Sequence, residues 1–192
     1  KKILIKSMLI VYTGLSCMYA VDKTGTTAAK FLSIGVGSKA VAMGGAFTSI
    51  ADDATAMYWN PAGLSYFNTG ELYFNHADWI ADISFDYFGF SIPIRPGHAV
   101  GINITSVTMG EMEVTRYGNE NTGETFKASD YAAGITYSMN LTDRFSIGIN
   151  SKYIQQTIAS SNAKGVAIDI GTLFETPFGF RLGTTISNFG PK

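Results

Sequence analysis

The run that decides the fold is Tyr131-Ala132-Ala133-Gly134-Ile135-Thr136-Tyr137-Ser138-Met139, which turns through Asn140-Leu141-Thr142-Asp143 and resumes as Phe145-Ser146-Ile147-Gly148-Ile149-Asn150. Large apolar residues recur at every second position in both arms, the side-chain period of a β-strand and not of a helix. Between them lie Ala132, Gly134, Thr136 and Ser138 in one arm and Ser146, Gly148 and Asn150 in the other. A soluble two-layer sheet would hide its aliphatic face and put Lys, Glu and Arg on the other. Here the second face is small or weakly polar, which suits a transmembrane antiparallel β-barrel whose apolar side meets lipid and whose other side lines a lumen.

Working outward, the alternation recurs in Val100-Ile102-Ile104, Val166-Ile168-Ile170 and Leu182-Thr184-Ile186. Their alternate positions are Gly101, Asn103 and Thr105, then Ala167, Asp169 and Gly171, then Gly183, Thr185 and Ser187. In the second strand Ile83, Phe85 and Tyr87 alternate with Asp82, Ser84 and Asp86, and the phase is expected to shift to Phe88, Phe90 and Ile92. On this reading Asp82, Asp86 and Asp169 are candidate lumen-facing carboxylates. Tyr66, Phe67, Tyr73, Phe74 and Trp79 fall near strand ends and are candidates for an interfacial girdle.

The connections differ in length. Arg95-Pro96-Gly97-His98, Asn140-Leu141-Thr142-Asp143 and Thr176-Pro177-Phe178-Gly179 have tight-turn chemistry. Residues 111–129 and 159–164 are expected as longer polar loops on the opposite side. Short turns on one side and longer loops on the other are the sidedness of an outer-membrane barrel, with Glu71 opening the first strand on the periplasmic side.

Composition agrees. Charged residues make 15% of the 192, where soluble domains average roughly 25%, and glycine numbers 21. A net charge of −1 and the lack of a Lys/Arg-dense stretch argue against nucleic-acid binding. Cys17 is the single cysteine, which excludes an intramolecular disulfide framework. At the N-terminus Lys1, Lys2 and Lys6 border an uncharged run from Ser7 to Val21, too short for the ~20 residues of a spanning helix and read as a secretory signal cleaved after Ala20. Gly14-Leu15-Ser16-Cys17 fits a lipidation signal poorly.

Residues 21–68 carry no period of two and are rich in Gly and Ala, which predicts a compact, partly helical segment. Asp52 is placed to cap a short helix over 53–59, stopped by Pro61. Gly35-Val36-Gly37-Ser38-Lys39-Ala40 matches G-x-G-x-x-A, yet Gly44-Gly45 interrupt any crossover helix behind it, so close packing of small residues is the better reading. Catalytic readings fare no better. His76 and Asp78 share one side of a strand, but no nucleophile motif accompanies them, and His98 sits in a turn facing water. Asp52-Asp53 is more simply a capping pair than an acid/base or calcium pair. No catalytic residue, metal site or cofactor is assigned.

At Phe31-Leu32-Ser33-Ile34-Gly35-Val36-Gly37-Ser38-Lys39-Ala40-Val41-Ala42-Met43-Gly44-Gly45-Ala46-Phe47, then Ala51-Asp52-Asp53-Ala54 and Tyr58-Trp59-Asn60-Pro61-Ala62-Gly63-Leu64, the chain resembles the start of the PorV/PorQ family, which is similar to FadL-type outer-membrane barrels. Val166–Gly171 and Ile186–Lys192 extend the resemblance. It implies a 14-stranded barrel in the bacterial outer membrane, with residues 21–68 folded inward as a hatch and Asp52, Asp53, Asn60, Pro61, Ala62 and Gly63 as the hatch motif. The implied role is in type IX secretion, with outer-membrane lipid and either secreted cargo or secretion-machinery subunits as partners. The alternative is passage of a hydrophobic small molecule. Residues 69–192 suffice for about seven or eight strands at ~9–11 residues each. An eight-stranded barrel is filled by its own side chains and has no room for a hatch, so the chain is expected to cover about half of a larger barrel.

Overall fold

The structure, a computed structural model, describes residues 29–80, 82–118 and 122–190. The export signal expected at residues 1–20 lies outside them. Nine strands follow one another: β1 (Glu71–Trp79), β2 (Ile83–Arg95), β3 (His98–Met109), β4 (Met112–Glu113), β5 (Thr125–Phe126), β6 (Ala128–Thr142), β7 (Phe145–Ile158), β8 (Ser161–Glu175) and β9 (Arg181–Phe189). Seven form one antiparallel sheet in the order β1-β2-β3-β6-β7-β8-β9, while β4 and β5 pair separately as a short ribbon. The main sheet is thus a meander with β1 and β9 at its edges. A 13-residue strand such as β2 runs about 40 Å. Tilted by ~40°, it still exceeds the ~25 Å apolar band of an outer-membrane barrel.

The two faces differ as the alternation requires. On the outer face Ile102, Ile104, Ile135, Ile149, Ile168 and Ile170 are exposed, with Tyr131, Tyr137, Tyr153 and Phe174 among them. On the inner face Asn103, Thr105, Thr136, Ser138, Ser146, Asn150 and Asp169 are buried. β2 keeps a single phase throughout: Phe85, Tyr87 and Ser91 are buried on the inner face, while Phe90, Ile92 and Ile94 are exposed on the outer one. The expected phase shift is therefore absent. Its physical cause is that the apolar partner changes along the strand. Near β1 the inner aromatics Phe85 and Tyr87 pack with Phe31, Leu32 and Val36 of the N-terminal segment, so bulk faces inward there.

The connections also differ from expectation at one place. β7 and β8 stay paired up to Ile158↔Ser161, leaving Ala159 and Ser160 as a two-residue turn, so residues 159–164 form no loop. Ala159 takes φ 53, the left-handed conformation such a tight turn needs. The long excursion remains between β3 and β6, where it carries the β4–β5 ribbon.

Residues 29–68 hold the helical elements: 3₁₀ turns at Lys30–Ser33 and Pro61–Tyr66 and short α-helices at Ser38–Ala42 and Ala56–Trp59. The last of these starts later than the predicted 53–59. Asp53, not Asp52, turns the chain into it: its carboxylate accepts from the Thr55 backbone N–H at 2.8 Å and from the Thr55 hydroxyl. Asp52 instead pairs with Lys39 at 2.7 Å in the open. Pro61 occupies the first turn of its 3₁₀ element, where a missing N–H costs nothing. Val36, Phe47, Met57 and Leu64 are fully buried, each worth roughly 1.5–3 kcal/mol against exposure.

Candidate functional site

The inner face and the N-terminal segment meet at backbone distance because the wall supplies glycines where the segment presses hardest. A methyl group added at Gly148 would overlap the Pro61 carbonyl and Ala62 N; at Gly171 it would overlap Asn60 Oδ1; at Gly183 it would overlap the Thr48 carbonyl. At Gly101 it would stand 2.5 Å from Met57 Sδ. The small residues that alternate with the outer aliphatics are the imprint of this packed segment.

Contact that close strands backbone carbonyls away from water, and each must find a donor. The wall's polar side chains provide them. The Ser138 hydroxyl donates to the Ala62 carbonyl (3.0 Å), Asn150 Nδ2 to the Met57 carbonyl (3.2 Å), the Thr185 hydroxyl to the Trp59 carbonyl (3.1 Å) and Arg181 Nη1 to the Ile50 carbonyl (2.9 Å). Asn60 works in the other direction. Fully buried, it donates through Nδ2 to the Thr48 carbonyl (2.8 Å) and to the Thr172 carbonyl of β8 (3.0 Å), while Oδ1 accepts from Ala62 N (3.1 Å). It therefore caps the 3₁₀ turn, holds the loop before it and ties both to the wall. Within the segment, Trp59 Nε1 donates to the Val36 carbonyl (2.9 Å) and the Tyr58 hydroxyl to the Leu32 carbonyl (3.0 Å). Burial, with the Asp169 charge adding to it, pushes the Tyr58 hydroxyl up to about 12.

Asp169 is the hub of the wall's own polar network. It is fully buried, bridges to Lys152 Nζ at 2.8 Å, and accepts from Asn150 Nδ2 (3.0 Å) and from the Asn188 backbone N–H (2.7 Å). Lys152 Nζ also donates to Asn188 Oδ1 at 2.5 Å. Asn103 and Thr136 extend the network, both donating to Asn150 Oδ1 (3.2 and 3.1 Å). A cavity of about 290 Å³ lies beside Lys152, between Leu32, Tyr58 and Trp59 on one side and Thr185, Ser187 and Asn188 on the other. Its lining is mixed, with a buried ion pair at its edge.

Of the three candidate lumen carboxylates the structure buries Asp169 on the inner face, beside the N-terminal segment, and puts the other two elsewhere. Asp86 shares the outer face with Phe88 and Phe90, because an even-numbered residue of an unbroken β2 must point that way. There its carboxylate meets His76 Nδ1 at 2.7 Å, and His76 Nε2 stands 3.4 Å from Asp78. Asp82 sits in the β1–β2 turn with φ 54. His98 opens β3 and is hydrogen-bonded to the Tyr137 hydroxyl at 2.9 Å. Of the girdle candidates, Tyr73 turns inward onto Tyr87, and Tyr66 lies under the Arg181 guanidinium at 4.6 Å. Phe74 and Trp79 are exposed. Aromatics cluster at the end of the sheet that carries the β6–β7 and β8–β9 turns, where Phe145 faces Phe174 and Phe178 faces Phe180. Among the described residues no three His, Cys, Asp or Glu side chains form a metal-ligating group. Lys152, Asn150, Ser138 and Thr185 escaped selection in the sequence. Their only signal there is a polar residue on the inner parity among Gly and Ala.

These features define a class: an all-β protein whose antiparallel sheet has one exposed apolar face and one small, polar face, with its own N-terminal segment packed against the latter. The family model for type IX secretion system protein PorV matches residues 19–192, and the chain belongs to that family. No curated protein matches the chain.

Proposed function

We propose that the protein is a non-enzymatic outer-membrane β-barrel component of protein export, in which wall and loops bind a secreted polypeptide or another part of the secretion machinery. The observation that carries this reading is the outer face: a continuous belt of Ile, Val, Leu, Tyr and Phe from β2 to β9 that no residue of the chain covers among those described. Lipid is the solvent such a face fits, and the strand lengths fit a bilayer's thickness. In this reading residues 29–68 act as the hatch, Asn60-Pro61-Ala62-Gly63 being its anchor, and the seven-stranded wall is part of a larger FadL-like barrel, of 14 strands in the family pattern. The transporter alternative calls for an apolar path between hatch and wall. That contact is instead filled by glycine-level packing and polar ties, and the cavity beside it borders the Lys152–Asp169 pair.

The test is a strain lacking the gene, with secreted type IX substrates assayed in the medium and the purified protein assayed for heat-modifiable gel mobility. Retained substrates, restored by the intact gene, together with heat-modifiable mobility support the reading. Normal secretion combined with lost uptake of a hydrophobic compound overturns the export role, and a chain that stays soluble without detergent overturns the membrane role.

A further inference from the structure

At the end of the wall that carries the long excursion, an apolar cleft opens on the same face as the plug. Its volume is about 240 Å³, and Val107, Met109, Met112, Phe126, Ala128 and Ile158 line it. Val107 also packs with Phe31, Leu32 and Val36, so the cleft's floor continues the plugged core while Met112 and Phe126 of the β4–β5 ribbon form its far wall. The volume falls below the ~300–1,000 Å³ of sites for drug-sized molecules. It suits one large apolar side chain better than an acyl chain.

The surroundings are acidic. Asp130 lines the cleft, Glu111 and Glu113 flank Met112, and Asp82 adjoins Ile83, the register partner of Met109. The two cations of the excursion are already engaged, Lys127 with Glu111 at 3.0 Å and Arg116 with Glu124 at 2.6 Å. Asp82, Glu113 and Asp130 make no ion pair among the described residues, which leaves a net negative rim. The ribbon adds a main-chain feature. Among the described residues its strands pair only with each other, and Val114 N donates to the Glu124 carbonyl (2.9 Å), which leaves an outer edge that no described strand covers.

We propose that this cleft is a docking point for an extended basic segment of an exported polypeptide, which inserts one Phe- or Leu-sized side chain while flanking Lys or Arg residues meet the acidic rim. The proposal rests on the export reading above and names the chemistry of the partner. An apolar anchor in a desolvated pocket supplies most of the affinity, and the rim charges supply selectivity and rate.

The experiment uses the full chain in detergent and a fluorescein-labelled seven-residue peptide with Phe at its centre and Lys on both sides. Counterparts carry Ala at the centre or Glu at the flanks, and binding is read by fluorescence polarisation. The Phe-centred, Lys-flanked peptide is expected to bind about tenfold or more tighter than the Ala-centred one. The paired change Met112→Ser with Phe126→Ser abolishes that preference. Glu113→Lys weakens the Lys-flanked peptide by roughly two- to fivefold and leaves the Glu-flanked one no weaker. All three residues lie outside the main sheet, and heat-modifiable mobility checks that the variants fold. Equal binding of Phe- and Ala-centred peptides, or a preference that survives the paired change, overturns the proposal even where deletion of the gene blocks secretion. The expected binding pattern in a protein whose deletion leaves secretion intact sustains the docking chemistry and overturns the export reading alone.

Discussion

Asn60→Ala is the most direct probe of how the plug is held. The side chain is fully buried, and its removal deletes donation to the Thr48 and Thr172 carbonyls and acceptance from Ala62 N. The Thr172 carbonyl belongs to a strand in the ladder, whereas the Thr48 carbonyl and Ala62 N depend on Asn60. Stranding two buried backbone groups costs about 1–3 kcal/mol each. Because Gly171 has no side chain with which to fill the gap, a small cavity adds about 1 kcal/mol. The sum centres on roughly 5 kcal/mol, about a few-thousandfold rise in the undocked population. Trypsin cleavage after Lys39, in the helix Ser38–Ala42 of the plug, reads that population when redocking outpaces cleavage. Cleavage is expected to accelerate by roughly three orders of magnitude or more while the sheet keeps its heat-modifiable mobility. Asn60→Asp preserves the acceptor for Ala62 N but sets an oxygen against the Thr48 carbonyl, so it should release the plug at least as strongly. Cleavage of Asn60→Ala within threefold of the parent protein would refute the reasoning, and a silent Asn60→Asp would show that the two donations carry nothing.

Gly148→Ala forces a methyl into the Pro61–Ala62 backbone, and protease release of the plug should rise by the ~1–3 kcal/mol of an overpacked core, whereas Gly165→Ala, with open space around it, should change nothing. Lys152→Met leaves Asp169 buried without its partner and should lower stability to denaturant by about 3–5 kcal/mol, and the double change with Asp169→Leu should recover much of it. Ile135→Lys, on the exposed belt, should cost about 2–4 kcal/mol of folding free energy in a bilayer, against about zero for Thr108→Lys nearer the strand end; equal costs in lipid would count against membrane insertion. Tyr58 gives a pH dependence of definite sign: its folded value is raised above the ordinary 10.0 to about 12, so its contribution is complete below pH 10 and drains as the pH climbs through 12. Plug release followed from pH 9 to 12 should show this loss, and Tyr58→Phe should remove it.

The strands were legible because a half-buried strand writes its period of two directly into the chain. β3, β6, β7, β8 and most of β9 read correctly on that basis, including which parity faces the plug. β2 misled for a physical reason. Its inner residues change from small to aromatic where Phe31, Leu32 and Val36 replace backbone as the thing they touch, and a reader following bulk mistakes that for a change of phase. Asp86 went to the wrong face with it. The 159–164 segment misled through polarity: Asn162 and Lys164 belong to an exposed strand end, and an exposed strand end has loop-like composition. The Asn60-Pro61-Ala62-Gly63 block was legible as a motif, but not its task, since Asn60 acts on Thr48 and Thr172, residues 12 and 112 positions away.

By itself the sequence determined the class of the protein: an antiparallel wall with one apolar and one small-residue face, tight turns, and an irregular N-terminal segment rich in Gly and Ala. Those properties follow from local periodicity and composition, which neighbouring residues carry between them. Only the tertiary structure decided why the inner face is small, which carbonyls Ser138, Asn150, Thr185 and Arg181 satisfy, and that Asp169 neutralises Lys152 beside the plug. Those are consequences of approach between segments far apart in the chain. A glycine needed because Pro61 passes over Gly148 looks, along the chain alone, like any other glycine.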